Sequence, residues 1–210
     1  MPNPEDCART MRAFLAIELP IDARHALATL PQELRRIPAD IKWVEPEHLH
    51  VTLRFFGEVD HEQRDRIERV LADTAPRFEP VAMQLGRPGY FPERGTPRVL
   101  WVGFGQGEAE LIKITRTLEQ GFAAAGFTPE ERPFVPHVTF GRARSPRGMR
   151  ELGGALRQTN WQPPAEFTVQ ALTLFESALS PAGPRYTALN RWPLKGSDPG
   201  SDPGSDPYAE

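Results

Sequence analysis

Two tetrapeptides, His50-Val51-Thr52-Leu53 and His137-Val138-Thr139-Phe140, repeat one pattern, once in each half of the chain. Such a repeat constrains the fold, because the copies are expected to fall at equivalent places in two similar runs of elements. In an extended strand alternate side chains share a face, so each copy presents His and Thr on one side and two apolar residues on the other. Imidazole has an unperturbed pKa of about 6.5, so two histidines can supply one base and one acid near neutral pH without a metal. The hydroxyls of Thr52 and Thr139 lie beside them to hold what is between. A pair facing a substrate atom from either side suits in-line displacement at phosphorus and predicts a bell-shaped rate profile.

The rest of the chain reads as two passes through one order of elements. Residues 13–19 form an apolar run ended by Pro20, and 21–37 has helical spacing through Ile21, Leu27, Leu30 and Leu34, with a break expected at Pro31. Residues 49–56 read as a buried strand closed by Gly57, followed by a helix capped by Asp60. Strands are expected at 81–85 and 99–104, joined by a Gly- and Pro-rich loop over 86–97. The second pass has an amphipathic helix over 108–125 stopped by Gly126, then a strand over 137–142. A short helix near 147–157 and strands over 167–177 and 185–192 complete it. The expectation is two α+β lobes facing across a cleft, each contributing one His-Thr strand.

Composition narrows the function classes. Cys7 is the only cysteine, which excludes an internal disulfide or a thiolate metal cluster. No apolar run approaches the ~20 residues of a membrane span, and residues 1–10 lack the basic-then-apolar pattern of an export signal, so a flexible amino terminus on a cytoplasmic protein is expected. Residues 196–210, dominated by a Gly-Ser-Asp-Pro repeat, have nothing to bury and are expected to be a disordered tail. That tail carries Asp198, Asp202, Asp206 and Glu210, so residues 1–195, which include the single domain expected over 11–195, hold 25 basic against 24 acidic groups. Local clustering then matters more than the total of -3: Arg142, Arg144, Arg147 and Arg150 fall in nine residues without an acid, either a solvated loop or an anion-binding rim.

Other side chains have competing roles. An arginine follows each motif, Arg54 and Arg142, but Arg142 lies five positions after His137 and so at opposite parity; reaching the cleft requires a bulge, a twist or a strand end. His48, His50 and His137 could bind a metal, but the chain has no HExxH, no Cys pair and no carboxylate near the second motif, so neither a metal nor a cofactor is expected. Trp43 and Trp101 sit in apolar settings and read as core. Tyr90 and Phe91, in the Gly/Pro loop, are candidates for stacking a nucleobase.

The motifs are similar to those of the 2H phosphoesterases, and within them the RNA 2′,3′-cyclic phosphodiesterases long called 2′-5′ RNA ligases. The resemblance runs from Arg12 to Leu194 and rests on RAFLAIELP (12–20), KWVEPEHLHVTLRFFGEV (42–59), PRVLWVG (97–103), RPFVPHVTFGR (132–142) and LTLFESALSPAGPRYTAL (172–189). It implies the bilobal α+β fold of that superfamily, two pseudo-symmetric lobes of antiparallel sheet with outer helices around a central, metal-independent cleft. It implies that His50 is the proton donor to the departing ribose O3′, that His137 is the proton acceptor activating water, and that Thr52, Thr139 and Arg142 bind phosphate. The implied substrate is RNA ending in a 2′,3′-cyclic phosphate, hydrolysed by a monomer to a 2′-phosphate, with weak ATP-independent 2′-5′ ligation by reversal. Small cyclic nucleotides or ADP-ribose cyclic phosphate are alternative substrates, and a non-catalytic RNA-end-binding module is the alternative from another class. His48 stands where relatives often carry Asn, and Phe56 where Leu is common.

Overall fold

The computed structural model describes residues 10–161, 166–180 and 183–197. The expected flexible amino terminus and nearly all of the repeat tail lie outside the described residues. Among the described residues nine strands alternate with four α-helices: β1 (Met11–Glu18), α1 (Ile21–Leu34), β2 (Ile41–Trp43), β3 (His50–Val59), α2 (His61–Thr74), β4 (Val81–Phe91), β5 (Val99–Gln106), α3 (Glu108–Ala124), β6 (Val138–Ala143), α4 (Met149–Gln158), β7 (Phe167–Val169), β8 (Ala171–Ser180) and β9 (Gly183–Pro193). No described helix is long and apolar enough to cross a membrane.

The strands form one antiparallel sheet in the order β7-β4-β5-β6-β3-β1-β8-β9, with β2 also paired to β6. Its centre is the contact between the two motif strands, where Val51 pairs with Val138. One lobe is β3, β1, β8 and β9 and the other is β6, β5, β4 and β7, so the lobes are not the two halves of the sequence. The chain's last strands return to pack beside its first.

One face of the sheet is apolar and covered by helices. Leu15, Ile17, Val51, Leu53, Leu100, Val102, Val138 and Phe140 point to this side and are essentially inaccessible. Against them pack Leu27 and Leu30 of α1, Ile67 and Leu71 of α2, Leu111, Ile114, Leu118 and Phe122 of α3, and Leu152 and Leu156 of α4. α2 starts where a capping box predicts, with Asp60 accepting from the Gln63 amide and Gln63 accepting from the Asp60 amide. Pro31 does not break α1: it sits buried within the last turn, and the Arg35 amide still reaches its carbonyl. The first half of the expected loop over 86–97 is instead the continuation of β4 to Phe91. Pro88 is tolerated there because β4 pairs with β5 on one side, while β7 covers only Val81–Met83 on the other, leaving a free edge at Pro88.

Candidate active site

The opposite face of the sheet is concave and carries both motifs. Val51 and Val138 point into the core, so His50, Thr52, His137 and Thr139 all point to the other side. The pairing of Val51 with Val138 sets the two motifs side by side on this face, close enough that His137 and Arg142 both act on the His50 ring. The curl of the sheet is visible where the Lys42 ammonium reaches to 3.7 Å from the position a Cβ would take on Gly183, at the start of β9.

The two imidazoles are held alike. His50 Nδ1 lies 2.7 Å from the His48 carbonyl, and His137 Nδ1 lies 2.7 Å from the Val135 carbonyl. A carbonyl can only accept, so Nδ1 carries the proton in each ring and Nε2 is left to the concave face. Each ring also leans on an aromatic pair. His50 packs against Phe14 at 5.0 Å and edge-on to Tyr186 at 5.4 Å. His137 meets Phe91 at 5.4 Å and Trp101 at 6.4 Å. Burial lowers the pKa of both: His50 falls to about 4, aided by His48, Arg142 and His137 and opposed by its bond to the His48 carbonyl. His137 is lowered by burial and by Arg142, against its bond to Val135. Both shifts favour the neutral ring in the ligand-free protein.

Arg142 reaches this face through a bulge. Along β5 and β6, Leu100 pairs with Gly141 and Trp101 with Thr139, so Phe140 is passed over. Phe140 and Gly141 therefore both turn inward and Arg142 turns out beside Thr139. Gly141 suits this place, since a Cβ would come within 3.2 Å of Leu100 and Trp43. The guanidinium acts on His50, His137 and Tyr186 together; it lowers the Tyr186 phenol while the stronger effect of burial raises it. The hydroxyls of Thr52 and Thr139 make no hydrogen bond among the described residues.

Several expectations change. Arg54 is not the counterpart of Arg142. It is 6% exposed on the helix-covered side, where it pairs with Glu119, donates to the Thr128 carbonyl at 2.6 Å and stacks near Phe56 and Phe122. Tyr90 is not a base-stacking residue on the concave face. It is one position out of phase with Phe91, 8% exposed in the core, with the Arg157 guanidinium over its ring. Phe91 does face the site. Trp101, expected in the core, faces it too: its indole lies across Gly89, where a Cβ would sit 2.5 Å from the ring, and beside Gly103. Val99, Trp101 and Gly103 share this face and Leu100, Val102 and Phe104 the other, but with apolar residues at both parities the sequence does not show which of the two is buried. Phe14 and Tyr186 complete the wall around His50. Among the described residues no group of three or more His, Cys, Asp or Glu is placed to hold a metal ion.

Known proteins show the same fold and family. The 2′-5′ RNA ligase superfamily matches residues 22–180. The chain belongs to that superfamily. It is 37% identical over 84% of its length to 95% of a protein of Methanothermobacter thermautotrophicus named RNA 2′,3′-cyclic phosphodiesterase. Among solved structures, TT0787 of Thermus thermophilus superposes with a TM-score of 0.73 and 29% identity, over 89% of this chain and 99% of that one. E. coli LigT complexed with 3′-AMP superposes with a TM-score of 0.69 and 28% identity, over 89% and 99%. The fold is thus that of the 2H phosphoesterases, with β3 and β6 at its centre.

Proposed function

We propose that this protein hydrolyses RNA 2′,3′-cyclic phosphate ends to 2′-phosphate ends, using residues 11–195 as the catalytic unit. The observation that carries the reading is the pair of Nδ1-tethered imidazoles on one concave face, brought together by the Val51–Val138 pairing of β3 with β6. In this mechanism His137 Nε2 takes a proton from water as its oxygen attacks phosphorus. The bond to O3′ breaks on the far side, and protonated His50 Nε2 gives its proton to O3′. The products are a 2′-phosphate and a free 3′-hydroxyl, and solvent exchange resets the two rings. Thr52, Thr139 and Arg142 hold the non-bridging oxygens, and Phe91 offers its ring to the terminal base. Because His50 is neutral in the free protein, its proton is taken up as the anionic phosphate arrives.

The names of the relatives and the nucleotide in the LigT crystal support this reading. By microscopic reversibility the same groups can join a cyclic phosphate to a 5′-hydroxyl as a 2′-5′ linkage. The test is an oligonucleotide ending in a 2′,3′-cyclic phosphate, incubated with excess EDTA, with the position of the product phosphate read out. A 2′-phosphate formed without metal is expected. A 3′-phosphate, no product, or turnover only with an added divalent cation overturns the mechanism.

A further inference from the structure

We propose that Lys42 binds the phosphodiester immediately upstream of the cyclic phosphate, so that the site prefers the end of a strand to a free mononucleotide. The proposal rests on the functional reading above and extends it by one phosphate. β2 is only three residues long, and its outer two residues are spent on packing. Ile41 is buried, and Trp43 stacks on Phe140. The register pairs Lys42 directly with Arg142, and cross-strand partners share a face, so Lys42 joins Arg142 on the concave side.

Two like charges directly opposite each other destabilise a sheet unless an anion comes between or beside them. Neither Lys42 nor Arg142 has an ion pair among the described residues. Glu18, an acid on the same face, is taken by the Thr173 hydroxyl at 2.7 Å and by Arg191. The two cations also differ in reach. Arg142 acts on both histidines, whereas the Lys42 ammonium reaches to Gly183 at the start of β9. A flexible stem ending in a compact charge suits a phosphate whose position shifts with the sugar that links it to the reacting one. A nucleoside 2′,3′-cyclic phosphate has no such second phosphate, and a dinucleotide does.

The experiment compares kcat/KM for a nucleoside 2′,3′-cyclic phosphate and for a dinucleotide ending in one, in the wild type, Lys42→Gln and Lys42→Arg. In Lys42→Gln the dinucleotide-to-mononucleotide ratio should fall by about 10-fold, the scale of one charged hydrogen bond, and Lys42→Arg should keep most of it. The salt dependence of the dinucleotide reaction should lessen by about 0.7 in log–log slope. An equal loss on both substrates would assign Lys42 to the reacting phosphate and overturn the proposal, as would an unchanged ratio. A wild type inert on both substrates would instead remove the functional reading itself. Lys42 is exposed, so folding is not at issue in these variants.

Discussion

The segments 50–55 and 137–142 are the same device up to their fourth residue and then part. Both begin with a His whose Nδ1 is tied two residues back, both place Val in the core, and both bulge at the same step. Thr52 pairs with Ala16 and Arg54 with Leu15, while Thr139 pairs with Trp101 and Gly141 with Leu100; Leu53 and Phe140 are the residues passed over. The bulge brings the sixth residue of each segment to the concave face, Phe55 in one and Arg142 in the other. The fifth residue turns to the helices, as Arg54 in one and Gly141 in the other. Each lobe thus carries one arginine beyond the motif, one buried against the helices and the other turned to the concave face beside the histidines.

The sharpest way to break this comparison is to remove the histidines. His50→Ala and His137→Ala should each lower kcat on a cyclic-phosphate end by about 10²- to 10⁴-fold, the usual worth of a positioned proton-transfer group. Because the two act on one displacement, the double variant should be little worse than the poorer single one. A loss below about 10-fold at either site would show that the two motifs are symmetric in structure only.

The arginines provide a second contrast. Arg142→Gln should cut kcat/KM by about 10- to 100-fold, as expected for a lost charged hydrogen bond to the phosphate, with the urea midpoint nearly unchanged. Arg54→Gln should do the reverse. It strands the half-buried Glu119 and the Thr128 carbonyl, which should destabilise the fold by about 3 kcal/mol while leaving turnover per folded molecule close to wild type. Steady-state kinetics and urea titration on the two variants measure both. If Arg54→Gln disables catalysis without loss of stability, the division of labour between the lobes is wrong.

How much of this the chain discloses depends on how local each signal is. The His-Thr parity, the α2 cap and the helical face of α3 are written within a few residues, and each lies where the pattern puts it. Lobe membership is not local. β8 and β9 join β1 through a pairing that no periodicity encodes, and residues 167–177, which read as one strand, divide into β7 and β8 with different partners. The bulge at Phe140 decides the placement of Arg142, and it is hidden in the sequence because register depends on the neighbouring strand. Trp101 reads as core on its hydrophobicity, but a strand with apolar residues at both parities hides which face is buried until its glycine neighbours are seen across the sheet.

The smallest effect, and the one that separates the two histidines, is their titration. His50 is the more deeply set ring, with His48 and Arg142 both opposing its charge, so in the ligand-free protein it should stay neutral down to about pH 4. His137 is lowered too, by burial and by Arg142. With both pKa values lowered, the maximum of kcat/KM, which reports the free enzyme, should lie on the acid side of about pH 6.5. Inorganic phosphate should move both resonances upward when histidine Cε1 protons are followed by NMR, since an anion beside the rings favours the imidazolium. The stability consequence follows in sign. Between pH 6.5 and about 4 the unfolded chain holds a proton on residue 50 that the folded chain refuses, so stability falls as pH drops through that window. His50→Gln should lose less stability than wild type over the same interval, by an amount on the order of 2 kcal/mol. Equal pH dependence in the two proteins would mean that His50 protonates freely in the fold, and that the buried half of the pair needs no substrate to charge it.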